Sequence, residues 1–243
     1  MTDKPDELYL STVRRMFESH ASRVLHLSLT AAASLRYAPT PAWLRFCGGS
    51  VRELTALYAA ISALYATVSD GAELAPPTLA PDLSRTPPTP ASWPEAVAAQ
   101  LVAGRQCRWQ LYEHHPCSYA PYRELVARAV AELDARQSLI ESAAAEAARA
   151  AETSSTFQDS LDRWMRWAVD AFGRSNTPGM AYSIRVGLRR RDASATLHDF
   201  LEDLRAVARA RDFSLPARFM PEPERPSLVE ALSEIARSNS ERQ

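Results

Sequence analysis

Chemically reactive side chains are sparse in this sequence and form no familiar catalytic motif. Glu132 is the most informative, because it lies in a segment that predicts a long helix, where a metal-binding helix would carry Glu-x-x-His. Residues i and i+3 of a helix point the same way, so a histidine at position 135 would complete part of a metal site. The residue present is Ala135, whose methyl group cannot bind a metal ion. Glu132 is therefore either an acid–base group or a member of an ion pair.

The histidines and cysteines also lack the spacing of a metal site. His20 and His26 are six residues apart, so they would point to different faces of one helix. The adjacent His114 and His115 are the one candidate for a transition-metal site, and the alternative is a hydrogen-bonded or exposed pair. Three cysteines without a C-x-x-C spacing predict reduced thiols in a cytoplasmic chain and no cysteine zinc site.

A run of three arginines is the strongest sign of ligand binding. Arg189, Arg190 and Arg191 could contact the phosphates of a ligand, because guanidinium groups match phosphate geometry. The alternative is a solvated turn before a helix. No nucleophile elbow, Walker loop or dinucleotide-binding glycine pattern occurs in the sequence.

Composition restricts the class of protein. The chain of 243 residues is 46% hydrophobic and 23% charged, with a net charge of -1, so nothing in its charge predicts nucleic acid or an anionic membrane as a partner. The charged N-terminus lacks the apolar run of a signal peptide, and no segment has the roughly 18 apolar residues of a membrane span. We therefore predict a cytoplasmic protein that does not contact membranes.

Apolar periodicity predicts an all-α fold. Four helices are long enough for an up-and-down bundle, and a proline-rich strap at 76–94 would form its long crossover, as in ferritin-like bundles. We predict one ferritin-like domain at 1–220 and a tail at 221–243 with one short helix. The predicted helices cover about 6–35, 41–68, 95–112, 123–152, 156–172, 181–188 and 193–212.

Several segments resemble one family. SYAPY, followed by a helix ending in ELDARQSLIE, is similar to the catalytic subunit of phenylacetyl-CoA epoxidase, a ferritin-like member of the bacterial multicomponent ring monooxygenases. LDRWMRWAVDAFG, IRVGLRRRD and FLEDLRAVARARDFSLP resemble later parts of that subunit. The resemblance spans roughly residues 18–220 and is strongest in the second half.

The resemblance implies a di-iron fold whose metal ligands are largely missing. The family binds two irons with a Glu-x-x-His pair on each of two helices and one carboxylate on each of two others. In this sequence those positions fall on Glu53 and Ala56, Glu132 and Ala135, Val24, and a residue near Ala103. Because both imidazoles are replaced, we expect no metal, no other cofactor and no di-iron oxygenase activity.

Two functions follow from this resemblance. The first is a metal-free, non-catalytic structural or partner subunit, which would form a homo- or hetero-oligomer with another ferritin-like chain. Its partner surface would include Trp164, Trp167 and Tyr182, and the alternative for Trp164 is packing in the core.

The second is a metal-independent enzyme of the isomerase, cyclase, dehydratase or hydrolase type. Glu53 and Glu132 would face each other in the emptied apolar pocket as an acid–base pair acting on an apolar or CoA-linked substrate. The same pocket could instead bind an apolar or acyl-CoA ligand without chemistry. Alternatively, each glutamate is neutralised by an arginine such as Arg105 or Arg108 and has only a structural role.

Overall fold

Polar caps and prolines set the helix starts. Asp6 accepts a hydrogen bond from the Leu8 amide at the first helix, and Asp192 accepts one from the Ala195 amide at the last. Thr40 caps a helix that begins with Pro41, where the missing N–H has no intrahelical partner to lose. These local signals explain why the helix boundaries are readable from the sequence.

The computed structural model describes residues 6–75 and 89–220, and within them all regular structure is helical, with no strand. The prediction of an all-α fold is therefore confirmed. The helices are α1 Glu7–Ser34, α2 Pro41–Val68, α3 Trp93–Tyr112, α4 Ala120–Ala135, α5 Gln137–Arg149, α6 Ser154–Ala171, α7 Pro178–Arg185 and α8 Ala193–Arg211. None of these helices has the length and apolar character needed to cross a membrane.

Helix α3 is the central element, with α1, α4, α5, α6 and α8 packed around it. Nearly every residue from Pro94 to Cys107 is buried, because small side chains such as Ala98, Ala99 and Gly104 let neighbouring helices approach. Helices α1 and α2 form an extensive hairpin beside it. The largest fully buried side chains include Trp164, Arg105, Tyr122, Phe17, Phe157 and Phe200.

The single helix predicted at 123–152 is two helices, which corrects that expectation. The break falls at Arg136, where φ is -94° and ψ is -14°. The next turn is weakly bonded, with 3.5 Å between the Ile140 amide nitrogen and the Arg136 oxygen.

Two predicted segments lie largely outside the described residues. Positions 76–88 of the proline-rich strap and the whole tail at 221–243 belong to this part of the chain. The last two positions of the strap, Trp93 and Pro94, already belong to α3, which Ser92 caps.

Candidate functional site

The interior between α1, α2, α3 and the α4/α5 junction is filled by side chains. Its void measures about 10 Å³. A single buried water needs roughly 10–15 Å³, so no substrate fits there. The side chains that close it include Leu27, Phe46, Leu54, Gln100, Leu133 and Ile140.

On α2, the inward face does not carry the glutamate expected from the sequence. Leu54 and Leu57 are buried, whereas Ala56 is exposed and Glu53 is only half-buried. A shift of one residue turns a helical side chain by about 100°, which moves it off the inward face. The expectation that positions 53 and 56 face the interior is therefore wrong by one residue, since positions 54 and 57 face it.

The same correction applies to α4. Leu133 and Arg136 line the interior, whereas Glu132 and Ala135 are exposed. The two remaining expected ligand positions, Val24 and Ala103, are buried but carry no donor atom.

Glu53 forms ion pairs rather than facing Glu132. Its carboxylate contacts the guanidinium of Arg136, and Arg52 Nη2 lies 3.8 Å from its other oxygen. The Glu53 side chain is 39% exposed. The structure therefore does not bring Glu53 and Glu132 together in an apolar cavity.

The arginine that neutralises Glu53 also differs from the expectation. Arg105 and Arg108, the two arginines named from the sequence, pair with other carboxylates. Arg105 Nη2 lies 2.5 Å from Glu141, and Arg108 Nε lies 2.8 Å from Asp134.

The arginine run is divided between two environments. Arg190 and Arg191 each donate to Glu113 Oε1, over 3.1 and 2.7 Å, and Glu113 is fully buried. Burial raises the pKa of Glu113, but the hydrogen bonds from Arg191 and Arg190 outweigh it, so the net pKa is lowered. Arg190 and Arg191 are therefore engaged by Glu113, and contact of the three arginines with the phosphates of a ligand stays a prediction.

Arg189 has no carboxylate within salt-bridge distance among the described residues, and it is 8% exposed. Its Nε donates to the backbone oxygen of Arg191, and its Nη2 donates to Thr196 Oγ1 over 3.1 Å. Arg189 therefore remains available to an anion.

Two buried histidines meet where α1 passes the end of α3. The ring centroids of His20 and His114 are 4.5 Å apart. His20 Nδ1 is hydrogen-bonded to the Tyr122 hydroxyl, and His114 Nδ1 donates to the Leu188 oxygen over 2.7 Å. Burial lowers the pKa of His114 to about 3 and that of His20 well below its ordinary value. Both imidazoles are therefore neutral near pH 7.

The histidine pair borders an open cleft of about 290 Å³ beside α7. Its walls include the side chains of four arginines, and no aspartate or glutamate of the described residues lines it. The arginines are Arg15, Arg23, Arg174 and Arg189.

This cleft is not predicted by the sequence, although the sequence contains part of the signal for it. His20 lies on the same helical stripe as Val13, Phe17 and Val24, which predicts that it is buried. Nothing in the sequence connects His20 to His114, because they are 94 residues apart and meet only through tertiary packing. His114 and His115 do not share one environment, since His114 is buried and His115 is exposed, so the two do not form a common metal site.

Of the aromatic residues named as a partner surface, Trp164 is buried and Trp167 and Tyr182 are half-buried. Trp164 is 1% exposed, and Trp167 packs against it with 5.3 Å between ring centroids. The expectation of an exposed aromatic surface is therefore wrong for Trp164.

Among residues 6–75 and 89–220, no three histidine, cysteine, aspartate or glutamate side chains are grouped so that they could hold a metal ion. No model of a known protein family matches the chain, and no curated protein matches it. The fold and the two sites therefore define it as an all-α protein with a filled helical interior and a separate basic cleft.

Proposed function

We propose that the chain is a metal-free, ferritin-like, non-catalytic subunit that acts by packing against another ferritin-like chain. That chain is either a second copy or a metal-binding relative. One observation carries the proposal: the interior between α1, α2, α3 and the α4/α5 junction has a void of only about 10 Å³, too little for a di-iron centre.

The side chains around this void also support the proposal. Leu54, Leu133 and Ile140 point into this small void, and none of them offers an atom that could bind iron. Close-packed apolar side chains stabilise a bundle, whereas a metal site requires ligands that point inward. A sequence that fills this space favours stability of the bundle over chemistry inside it.

No observation favours the acid–base enzyme. A general acid and base must reach the same substrate, but Glu132 is exposed and Glu53 is paired with Arg136. The interior also leaves no volume in which an apolar or acyl-CoA substrate could bind between them.

Light scattering of the purified chain tests the proposal. We expect the mass of two or more chains, either for the protein alone or after mixing with a metal-binding ferritin-like subunit encoded by a neighbouring gene. A chain that stays monomeric in both experiments would contradict the proposal.

Two variants make the light-scattering experiment specific. Glu53→Gln combined with Glu132→Gln should leave the mass unchanged, because one side chain is exposed and the pair made by the other is worth under about 1 kcal/mol. Leu54→Asp should abolish both folding and assembly, because it places an unpaired charge in the filled interior. A double variant that disassembles while remaining folded would show that the glutamates contribute directly to the interface.

A further inference from the structure

The basic cleft is unusual because its positive charge is not balanced. Arg23 donates to the backbone oxygens of Ser19 and Ala171, over 3.3 and 3.0 Å, and to the Ser19 hydroxyl. In the described part of the chain no carboxylate lies within salt-bridge distance of Arg23 or of Arg189. Elsewhere the protein pairs its buried arginines, as Arg105 is paired with Glu141.

Like charges in this cleft also act on each other. The pKa of Arg23 is lowered to about 10, chiefly by burial and in smaller part by the nearby guanidinium of Arg189. Burying two neighbouring guanidinium groups costs free energy unless an anion binds between them. Glu113 and Asp192 attract Arg189 from a distance, but neither lines the cleft.

Two further side chains of the cleft can donate hydrogen bonds to a ligand. Gln110 is 1% exposed and lines the cleft, and its Nε2 has no hydrogen-bond partner among the described residues. The Ser19 hydroxyl also lines the cleft, and because it accepts from Arg23 its own proton is left to donate. The hydroxyls of Thr12 and Ser183 line the cleft too, but they already donate to the backbone oxygens of Leu8 and Gly179. A buried amide donor without a partner costs free energy that an incoming acceptor would recover.

We propose that this cleft binds the phosphate group of a small molecule. Phosphate presents several acceptor oxygens to guanidinium groups, the Ser19 hydroxyl and the Gln110 amide, which are the donors that the cleft supplies. The cleft volume of about 290 Å³ compares with about 30 Å³ for one water in the liquid, so it holds a phosphate with a small organic group attached. Arg23 and Arg189 bind the phosphate, and Arg15 and Arg174 attract it at the rim, where both are exposed.

This inference does not depend on the proposed role as a subunit. The cleft lies beside α7 and the C-terminal end of α3, whereas the filled interior lies between α1, α2, the middle of α3 and the α4/α5 junction. Either proposal can therefore fail while the other holds.

Isothermal titration calorimetry at constant ionic strength tests the cleft, with inorganic phosphate and glycerol phosphate as separate probes. Arg23→Gln should weaken phosphate binding by about 10-fold or more, as expected for the loss of a charge-assisted hydrogen bond. Arg15→Gln combined with Arg174→Gln should weaken it by up to about 5-fold for each rim charge. Arg209→Gln is the matched control, because Arg209 is exposed on α8 and does not line the cleft.

The double variant at Arg15 and Arg174, called the rim variant, should remain folded because both arginines are exposed. Circular dichroism checks that each variant is folded. Tighter binding of glycerol phosphate would support a phosphorylated metabolite as the ligand, and equal binding of the two probes would support free phosphate. Two results would overturn the proposal. One is the absence of binding of either probe at about 10 mM, beyond which affinity is too weak to indicate a built site. The other is equal weakening by the rim variant and by Arg209→Gln.

Discussion

His20 and His114 are held in the folded protein as neutral imidazoles. Burial lowers the pKa of His114 to about 3 and that of His20 well below 6.5. In the unfolded chain both take up a proton below about pH 6.5. Between about pH 6.5 and 3 the unfolded state therefore binds more protons, and the free energy of unfolding falls as the pH falls.

His114→Asn should flatten this pH dependence. The substitution removes one group that protonates on unfolding, so the slope of unfolding free energy against pH should decrease by up to about 1.4 kcal/mol per pH unit below pH 6.5. Urea unfolding at several pH values measures it. His198→Asn is the matched control, because the His198 side chain is 71% exposed. A slope unchanged by His114→Asn would mean that His114 is not held neutral.

At the same scale, the sequence predicted buried stripes better than it predicted individual ligands. The apolar pattern of α2 through Leu54 and Leu57 was readable, and it places Glu53 beside the inward face rather than on it. The expected inward positions were taken from the family resemblance, which pointed to the glutamates. The apolar stripe of leucines would have indicated the inward face correctly. A carboxylate next to a buried stripe is more easily satisfied by an arginine at the surface than by burial.

Ion pairs connect α3, α5 and α8 around one buried guanidinium. Arg105 is 2% exposed, and its Nη2 lies 2.5 Å from Glu141 Oε1. Arg211 of α8 donates to the other oxygen of Glu141 over 3.0 Å, and Asp203 lies 3.6 Å from Arg105 Nε. Three helices are therefore held in register by one charged network.

Arg105→Met should lower the free energy of unfolding by about 3 kcal/mol. This is the lower end of the range for removing one member of a buried ion pair, because Glu141 would still be paired with Arg211. Combined with Glu141→Gln in a double-mutant cycle, it should give a coupling energy of about 1–3 kcal/mol. Denaturant unfolding measures both. The control Arg166→Met removes an exposed pair with Asp162 and should cost under about 1 kcal/mol. Equal effects of Arg105→Met and the control would show that the buried network does not stabilise the fold.

Helix limits were largely predictable, because caps and prolines act within a few residues of the chain. The predicted limits of α2, 41–68, coincide with those observed, and those of α1 and α8 differ by one residue at most. The break at Arg136 was not predictable. No proline or glycine marks it, and the partner of the Arg136 side chain, Glu53, belongs to a distant helix.

At the scale of the whole molecule, the arrangement of the helices decides what the protein can do. Helix α3 is enclosed on nearly all sides, so even its polar residues Arg105 and Gln110 are buried. Composition and periodicity predicted an all-α fold but could not predict this enclosure, because it depends on which helices pack together. For the same reason the cleft formed by His20, His114 and their arginine neighbours could not be located from the sequence.

Iron content is the most direct test of the central claim, that the helical interior is filled by side chains and has no place for a di-iron centre. The full chain, purified from iron-supplemented cells and desalted, would be analysed for iron by atomic emission, with Leu133→Glu as a variant that turns a carboxylate inward. We predict well under one iron per chain for the unmodified protein. About two irons per chain, as in a di-iron carboxylate bundle, would contradict the account.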